Sequence, residues 1–288
     1  MLTTAPIQTE ELTQFIHRAL AEDVGDGDHT SLACIPADSR SRARLIIKDA
    51  GVLAGVDLAR HIFKTVDPSS EISIFIEDGT SVNYGDVGFE VVCNSRALLK
   101  AERLVLNAMQ RMSGIATLSN RFAFEVEDLP VTILDTRKTT PLIRFLEKWA
   151  VRIGGCTNYR YGLYDRIMIK DNHIDACGGI RQAIETVTAY KKEQNKDLKV
   201  TIEVRNLVEL DQVLEVGQVD RIMLDNFERP LLREAVRAIG DRYETEASGG
   251  VNIHSVREIA KCGVNFISVG ALTHSAQSLD ISLKVVKD

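Results

Sequence analysis

The N-terminal third of the chain combines one helical repeat with several short extended segments. Apolar residues recur at helical spacing over 9–21, with Thr9 as a potential N-cap. From Arg42 to Val92, short apolar segments alternate with Gly, Asp and Pro, which is typical of strands joined by turns, and a helix is expected near 56–66. This pattern predicts an α+β domain in which helices cover an antiparallel sheet.

A long helix is predicted next, from Asn94 to about Met112, and the following Ser113-Gly114 indicates a domain boundary. Beyond it, apolar strands are expected near residues 131, 166, 200, 221, 243 and 265, with helical segments in most intervals. Such alternation predicts a parallel sheet with helices outside it, although six strands are too few for a complete eight-stranded barrel. We therefore divide the chain into a first domain at 1–112, a second at 113–276, and a tail at 277–288 whose alternating pattern suits pairing with the first sheet.

Most of the predicted parallel strands end in polar residues or glycine, and such ends form active sites in α/β sheets. The residues at these ends are Thr136, Arg137, Lys170, Glu203, Asp225, Ser248, Gly249, Gly250, Gly270 and Ala271. The glycines follow the last two strands, where backbone N–H groups can approach a phosphate closely. Glu203 and Asp225 end successive strands and can bind ribose hydroxyls or a hydrated Mg²⁺. The alternative for these carboxylates is an ion pair with Arg205 or Arg221.

A basic stretch from Asp135 to His173 lies within an otherwise acidic chain. It holds eight Lys or Arg residues against four acids, whereas the whole chain has a formal charge of −6. A local cluster of this kind favours a site for a small, highly anionic ligand. A nucleic-acid surface is usually broader and basic, and this chain has a pI of about 5.6. Within the stretch, Arg144, Lys148 and Arg152 share one helix face, and at least one of them is interpreted as a solvated surface charge.

Composition indicates the class of protein and its location. The chain has 288 residues, of which 44% are hydrophobic and 26% charged, as in an ordinary globular enzyme subunit. The sequence begins without a secretory leader pattern, and no apolar run approaches the roughly 18–20 residues of a membrane span. The five cysteines are widely spaced, which indicates free thiols in a reducing cytoplasm, and the six histidines show no zinc motif. We therefore expect a cytoplasmic protein without a membrane or nucleic-acid partner.

Ten blocks of the sequence form a recognisable set when they are taken in order. Four lie in the basic stretch: DTRKTTP, LEKWAVRIGG, NYRYGLYD and IKDNH. The others are AEDVGDGDHTS (21–31), AERLVLNAMQRMSGIAT (101–117), IEVRN (202–206), MLDN (223–226), EASGGVN (246–252) and VGALTHSA (269–276). Together they resemble the corresponding blocks of the quinolinate phosphoribosyltransferase family. Two positions depart from the family pattern, which usually has histidine where this chain has Tyr159 and glycine where it has Leu142.

The resemblance implies an enzyme of NAD biosynthesis with a defined fold. It implies transfer of phosphoribosyl from 5-phosphoribosyl 1-pyrophosphate to quinolinate with decarboxylation, giving nicotinate mononucleotide, pyrophosphate and CO₂. It also implies that the N-terminal α+β layer domain is followed by an incomplete α/β barrel of about seven strands. No organic cofactor is expected. Mg²⁺ is expected with the phosphoribosyl pyrophosphate, held by Glu203 and Asp225 through water and substrate rather than at a dedicated protein site.

The resemblance also assigns roles to single residues. The catalytic residues expected are Lys138, Lys170, Glu203 and Asp225. The substrate-binding residues expected are Arg103, Thr136, Arg137, Lys138, Tyr159, Arg160, Lys170, Glu203, Asp225, Ser248, Gly249, Gly250, Gly270 and Ala271. Arg103 is expected to reach the active site of the neighbouring subunit, which implies a homodimer with shared sites or a higher oligomer.

The residues alone leave two other functions open. Lys170 at a strand end could form a Schiff base, which would make the protein an aldolase-like enzyme. The chain could also be a non-catalytic anion-binding subunit, since a tyrosine at position 159 cannot supply the positive charge of an imidazolium near neutral pH.

Overall fold

A four-stranded antiparallel sheet and a six-stranded parallel sheet, bridged by one long helix, form the framework of this computed structural model, which describes residues 9–286. Residues 1–8 of the predicted first domain and 287–288 of the predicted tail lie outside the described part. The elements up to the long helix are α1 (Thr9–Val24), α2 (His29–Cys34), β1 (Arg40–Ile47), β2 (Gly51–Val52), α3 (Val56–Val66), β3 (Glu71–Ile74), β4 (Ser81–Val82), β5 (Val87–Asn94) and α4 (Ser95–Glu125).

The first sheet has the strand order β12-β1-β5-β3, in which β12 (Ile281–Val286) is the last strand of the chain. All its pairs are antiparallel, and Leu45 of β1 lies opposite Leu283 of β12. Leu45, Val91 and Ile47 are fully buried, since alternate residues of β1 and β5 face the core. The predicted extended region with one helix near 56–66 is confirmed, and the C-terminal tail adds an edge strand to this sheet.

The predicted helix end at Met112 is wrong, because α4 continues without a break through Ser113 and Gly114 to Glu125. Both residues serve close packing instead of a turn. The Ser113 hydroxyl donates to the Ala54 carbonyl and accepts from the Ala54 amide. A Cβ at Gly114 would lie 1.9 Å from the carbonyl oxygen of Gln277, so only glycine lets the returning tail cross the helix here.

The second sheet is parallel, and each of its six strands was predicted. Its elements are β6 (Thr132–Leu134), α5 (Arg144–Ile153), β7 (Ile167–Ile169), α6 (Asp171–Cys177), α7 (Ile180–Glu193), β8 (Val200–Val204), α8 (Leu207–Val216), β9 (Arg221–Asp225), α9 (Arg229–Ile239), a 3₁₀ turn (Gly240–Arg242), β10 (Glu244–Ser248), α10 (Val256–Ala260), β11 (Phe266–Ser268) and α11 (Ala271–His274). The order β6-β11-β10-β9-β8-β7 places the first two strands at opposite edges, and a parallel bridge between Leu134 and Thr157 adds a seventh short segment beside β6. The predicted α/β fold with an incomplete barrel is confirmed.

Among the described residues, 9–286, no helix is long and apolar enough to cross a membrane.

Candidate active site

A cavity of about 850 Å³ lies at the carboxyl ends of the parallel strands. Its wall includes every predicted site residue except one: Thr136, Arg137, Lys138, Tyr159, Arg160, Lys170, Glu203, Asp225, Ser248, Gly249, Gly250, Gly270 and Ala271. These residues come together because the ends of parallel strands meet at one edge of the sheet. The exception is Arg103, an exposed residue of α4 that does not line the cavity of its own chain.

Four cationic side chains occupy one part of the cavity wall. Arg137 and Lys138 follow β6, Arg160 follows the bridge at Thr157, and Lys170 follows β7. Of the described residues, no carboxylate forms an ion pair with Arg137, Lys138 or Arg160, and the buried Nε of Arg137 lacks a hydrogen-bond partner. Burial and the charge of Arg137 lower the pKa of Arg160. Uncompensated cations of this kind favour an anionic ligand.

Two carboxylates face these cations from neighbouring strands. Lys170 Nζ donates to Glu203 Oε2 at 3.0 Å. Asp225 accepts from the Ser248 hydroxyl and from the Asn226 side chain, each at 2.6 Å. The alternative ion pairs predicted for these carboxylates are wrong, since the two arginines concerned bind other acids: Arg205 pairs with Glu209, and Arg221 with Glu244 and Glu246. Glu203 and Asp225 therefore remain accessible from the cavity.

The glycine-rich end of the cavity depends on backbone geometry. Gly249 has φ +94°, and a Cβ there would lie 2.2 Å from Asn226 Oδ1. At Gly270 a Cβ would lie 3.0 Å from Cδ of Lys138 and 3.2 Å from the His274 ring. A side chain at Gly249 would collide with Asn226, whereas one at Gly270 would press against Lys138 and His274, so glycine keeps the backbone open to a ligand. The turn after β10 and the residues after β11 therefore leave space for a phosphate.

The segments that carry the cations are held by buried charges of α5. Asp135, which is fully buried, accepts from Lys148 Nζ at 2.5 Å, from Asn158 Nδ2 at 2.7 Å and from the Tyr159 amide at 2.8 Å. Burial raises the pKa of Asp135 and lowers that of Lys148, against their mutual attraction. At least one of the three α5 cations was interpreted as a solvated charge, and Lys148 is not that residue, because it is only 3% exposed. Through these bonds, Asp135 connects the segment after β6, which carries Arg137 and Lys138, to the segment after Thr157, which carries Arg160.

A second buried carboxylate, Glu147, orders the turn after Lys138. Its oxygens accept from the Thr140 amide at 3.0 Å and from the Thr140 hydroxyl at 2.8 Å. Arg111 of α4 donates to the same carboxylate at 2.8 Å and also to the carbonyl of Thr273. The long helix thus connects this turn to the residues around α11.

Sequence reasoning missed several residues of the cavity wall: Met168, Met223, Asn226, Val251, Ser268 and His274. Met168, Met223 and Ser268 lie within strands and were not among the residues expected at the strand ends. Asn226 and His274 belong to the quoted blocks MLDN and VGALTHSA, so the blocks contained a signal for them. The Ser275 hydroxyl is hydrogen-bonded to His274 Nδ1 at 2.7 Å.

Leu142 adopts a left-handed backbone conformation, with φ +68°, in the turn before α5. Its side chain is 78% exposed, so little apolar burial compensates this strain. We expect Leu142→Gly to raise the free energy of unfolding by about 0.5–1 kcal/mol, because relief of left-handed strain exceeds the added entropy of an unfolded glycine. Urea denaturation measures this change. Leu142→Ala keeps a Cβ and is the matched control; equal stability of the Gly and Ala variants would contradict the strain.

Family models match nearly the whole chain. The N-terminal domain of quinolinate phosphoribosyl transferase matches residues 28–113, and the C-terminal domain matches residues 115–284. Their junction falls inside the continuous helix α4.

Relatives at the level of sequence and structure agree with these models. The chain is 47% identical to a chloroplastic nicotinate-nucleotide pyrophosphorylase [carboxylating] of Arabidopsis thaliana, over 96% of this chain and 83% of the relative. It is 38% identical to a probable nicotinate-nucleotide pyrophosphorylase [carboxylating] of Bacillus subtilis, over 96% of this chain and 93% of the relative. The crystal structure of NadC from Streptococcus pyogenes superposes with a TM-score of 0.91 at 34% identity, covering 99% of this chain and 100% of that one.

Proposed function

The chain belongs to the quinolinate phosphoribosyltransferase family, and we infer that its sheet-edge cavity is the active site of that reaction. The protein transfers phosphoribosyl from 5-phosphoribosyl 1-pyrophosphate to quinolinate with decarboxylation, yielding nicotinate mononucleotide, pyrophosphate and CO₂ in NAD biosynthesis. The observation that carries this assignment is the charge pattern of the cavity, whose wall holds cations without an acid partner in the described part of the chain, two carboxylates, and turns that leave room for phosphate. Family membership decides against the aldolase and the non-catalytic alternatives.

The acceptor side of the site is proposed to lie at Arg137 and Arg160. Quinolinate carries two adjacent carboxylates, and a guanidinium group binds a carboxylate through two parallel hydrogen bonds. Neither arginine has an ion-pair partner in the described part of the chain, so both are available for substrate. Lys138 and Lys170 would neutralise the remaining charge of the acceptor or the pyrophosphate, while Thr136 and Tyr159 complete the wall.

The donor side is proposed to lie at the glycine turns and the two carboxylates. Ser248, Gly249, Gly250, Gly270 and Ala271 would bind the phosphate of the donor through backbone N–H groups. Glu203 and Asp225 would bind the ribose hydroxyls.

A Mg²⁺ ion carried by the pyrophosphate fits the same two carboxylates. Glu203 and Asp225 end neighbouring strands, and each already has a protein hydrogen-bond donor: Lys170 for Glu203, and Ser248 for Asp225. Within residues 9–286 no group of three His, Cys, Asp or Glu side chains could form a dedicated metal site. Two carboxylates, Glu203 and Asp225, suit a Mg²⁺ ion that keeps most of its water and phosphate ligands. When bound, the ion would help neutralise the departing pyrophosphate.

The residues of the cavity then account for each step of the reaction. The pyridine nitrogen attacks C1 of the ribose while the bond from C1 to pyrophosphate breaks. Glu203 and Asp225 stabilise the positive charge that develops on the sugar, and Lys138 and Lys170 stabilise the departing anion. The bond from C2 of the ring to its carboxylate then breaks and CO₂ leaves; the electron pair stays on C2, where the positive charge of the adjacent pyridinium nitrogen stabilises it, and it takes up a proton. No covalent intermediate with the protein is required.

We also propose a homodimer in which Arg103 completes the partner's site. Arg103 is exposed on α4, outside the cavity of its own chain, and has no partner among the described residues. A cytoplasmic location is proposed as well, because all five cysteines are free and two of them, Cys34 and Cys177, are exposed.

The test of the proposed function uses two acceptors that differ by one carboxylate. With 5-phosphoribosyl 1-pyrophosphate and Mg²⁺, quinolinate should yield nicotinate mononucleotide and CO₂. Nicotinate, which lacks the 2-carboxylate, should be a poor acceptor and release no CO₂. One of the two arginines proposed to bind the carboxylates, Arg137 or Arg160, would then have no carboxylate to pair with. Product formation is followed by chromatography and by release of labelled CO₂. Equal turnover of both acceptors would contradict the proposal that Arg137 and Arg160 bind two carboxylates of the acceptor.

A further inference from the structure

Tyr159 lines the cavity, but most of its side chain is buried in the protein interior. The residue is 7% exposed, and its hydroxyl forms a 2.7 Å hydrogen bond with Oγ1 of Thr201, a fully buried residue of β8. The ring centre lies 5.3 Å from the guanidinium carbon of Arg166 and 5.2 Å from that of Arg221. Burial raises the pKa of Tyr159 to about 12, so the phenol is neutral between the two cations. The side chain therefore links its loop to the interior of the sheet.

The backbone of Tyr159 is held as firmly as its ring. Its amide donates to Asp135 Oδ1 at 2.8 Å, and its carbonyl accepts from Lys148 Nζ at 3.3 Å. Asp135 and Lys148 are both buried, so these bonds are shielded from water. The amide, the carbonyl and the hydroxyl of this one residue are thus fixed by β6, α5 and β8.

The next residue, Arg160, lacks comparable support. Its guanidinium donates one long hydrogen bond, 3.5 Å, to the carbonyl of Arg166, and no described carboxylate pairs with it. Arg137 lies near enough for its charge to lower the pKa of Arg160. A cation placed beside another cation tends to move toward solvent unless neighbouring structure restrains it. The restraint available on the N-terminal side is Tyr159.

We propose that Tyr159 is a positioning residue for Arg160: the hydrogen bond between its phenol and the Thr201 hydroxyl keeps the Arg160 guanidinium near Arg137, where both can bind the adjacent carboxylates of one acceptor. This proposal rests on the proposed function and adds a determinant of acceptor affinity. The phenol also suits this place because it contributes a hydrogen bond without adding charge to a cationic cluster.

The test is a double-mutant cycle with Tyr159→Phe, Thr201→Val and the double variant. The probe is phthalate, an unreactive ring with two adjacent carboxylates, and its Kd is measured by calorimetry beside the KM for quinolinate. Loss of one buried hydrogen bond should weaken phthalate about fivefold in Tyr159→Phe and raise the KM for quinolinate more than it lowers kcat. The double variant should be no weaker than Thr201→Val alone, because the Thr201 change already removes the bond to Tyr159, together with the 3.1 Å bond that Thr201 accepts from Arg166.

Two matched controls separate positioning from general damage. Tyr161→Phe removes a phenol on the other side of Arg160, one that donates to Glu11. Thr245→Val removes a buried strand hydroxyl that is bonded to Asn265. Both should leave the phthalate Kd within about twofold. Inorganic pyrophosphate with Mg²⁺ should bind Tyr159→Phe as it binds the wild type.

Several results would overturn the proposal. An unchanged phthalate Kd in folded Tyr159→Phe would do so, as would effects that multiply in the double variant. An equal loss for pyrophosphate, or an equal effect in Tyr161→Phe, would show a merely structural role. If the wild type fails to convert quinolinate, the proposed function fails instead, while phthalate binding still reports on Arg160.

Discussion

Arg103→Ala and Lys138→Ala should each lose nearly all activity when assayed separately, yet recover part of it when mixed. Each change leaves negative substrate charge uncompensated in the proposed shared site, which should cost about 3–5 kcal/mol, or roughly a hundred- to several-thousandfold in kcat/KM. In a mixed dimer, one site carries both defects and the other carries neither. Random exchange of equal amounts makes about half of the dimers mixed, so about a quarter of all sites should be native.

The measurement is quinolinate turnover after subunit exchange, with exchange verified by differently tagged chains. Arg121→Ala is the control, because Arg121 is another exposed arginine of α4 and should keep full activity. Exchange without recovery would place Arg103 in the site of its own chain or outside any site. The result therefore decides between a shared and a self-contained active site.

Lys148→Met should destabilise the protein by about 3–5 kcal/mol, since it leaves Asp135 as a buried charge without its counter-ion. Asp135 is fully buried, and only Asn158 and the Tyr159 amide would still donate to it. The free energy of unfolding is measured by urea denaturation. Asp135→Asn in the Lys148→Met background should restore much of the loss, because no charge then remains in the interior.

An exposed ion pair provides the comparison for this change. Lys199, 66% exposed at its side chain, pairs with Asp220 at 2.7 Å, and Lys199→Met should cost less than about 1 kcal/mol. A similarly small cost for Lys148→Met would contradict the prediction that an unpaired buried charge at Asp135 destabilises the fold. Absence of rescue by Asp135→Asn would contradict it as well.

Local sequence patterns were sufficient to predict most residues of the cavity wall. The strands β6 to β11 were predicted because short apolar runs bounded by polar residues and glycine are a property of neighbouring residues. Once the strands are parallel, their carboxyl ends share one edge, so residues such as Arg137, Glu203 and Gly249 meet without further information. Tyr159 lies outside any predicted strand end and was identified only by the resemblance of the block NYRYGLYD, whereas Arg160 also belongs to the basic stretch that favours an anionic ligand.

Other features required contacts between distant parts of the chain. Gly114 resembled a helix end, but its lack of a side chain serves the crossing of Gln277, far along the sequence. Met168 and Met223 have no polar group to mark them, and only the assembled sheet shows that their strand faces line the cavity. Helix periodicity cannot reveal such positions, because it specifies a face and not what that face meets.

The sequence by itself determined the order of helices and strands, the polar residues at the strand ends and the family, since these depend on local periodicity and on blocks of neighbouring residues. Only the tertiary structure decided which charges are buried and which are free. Of the three cations on one face of α5, Lys148 is the buried partner of Asp135, whereas Arg137 and Arg160 have no acid partner within residues 9–286. The physical reason is that the environment of a charge depends on its distance from solvent and from other charges, and chain packing sets both distances.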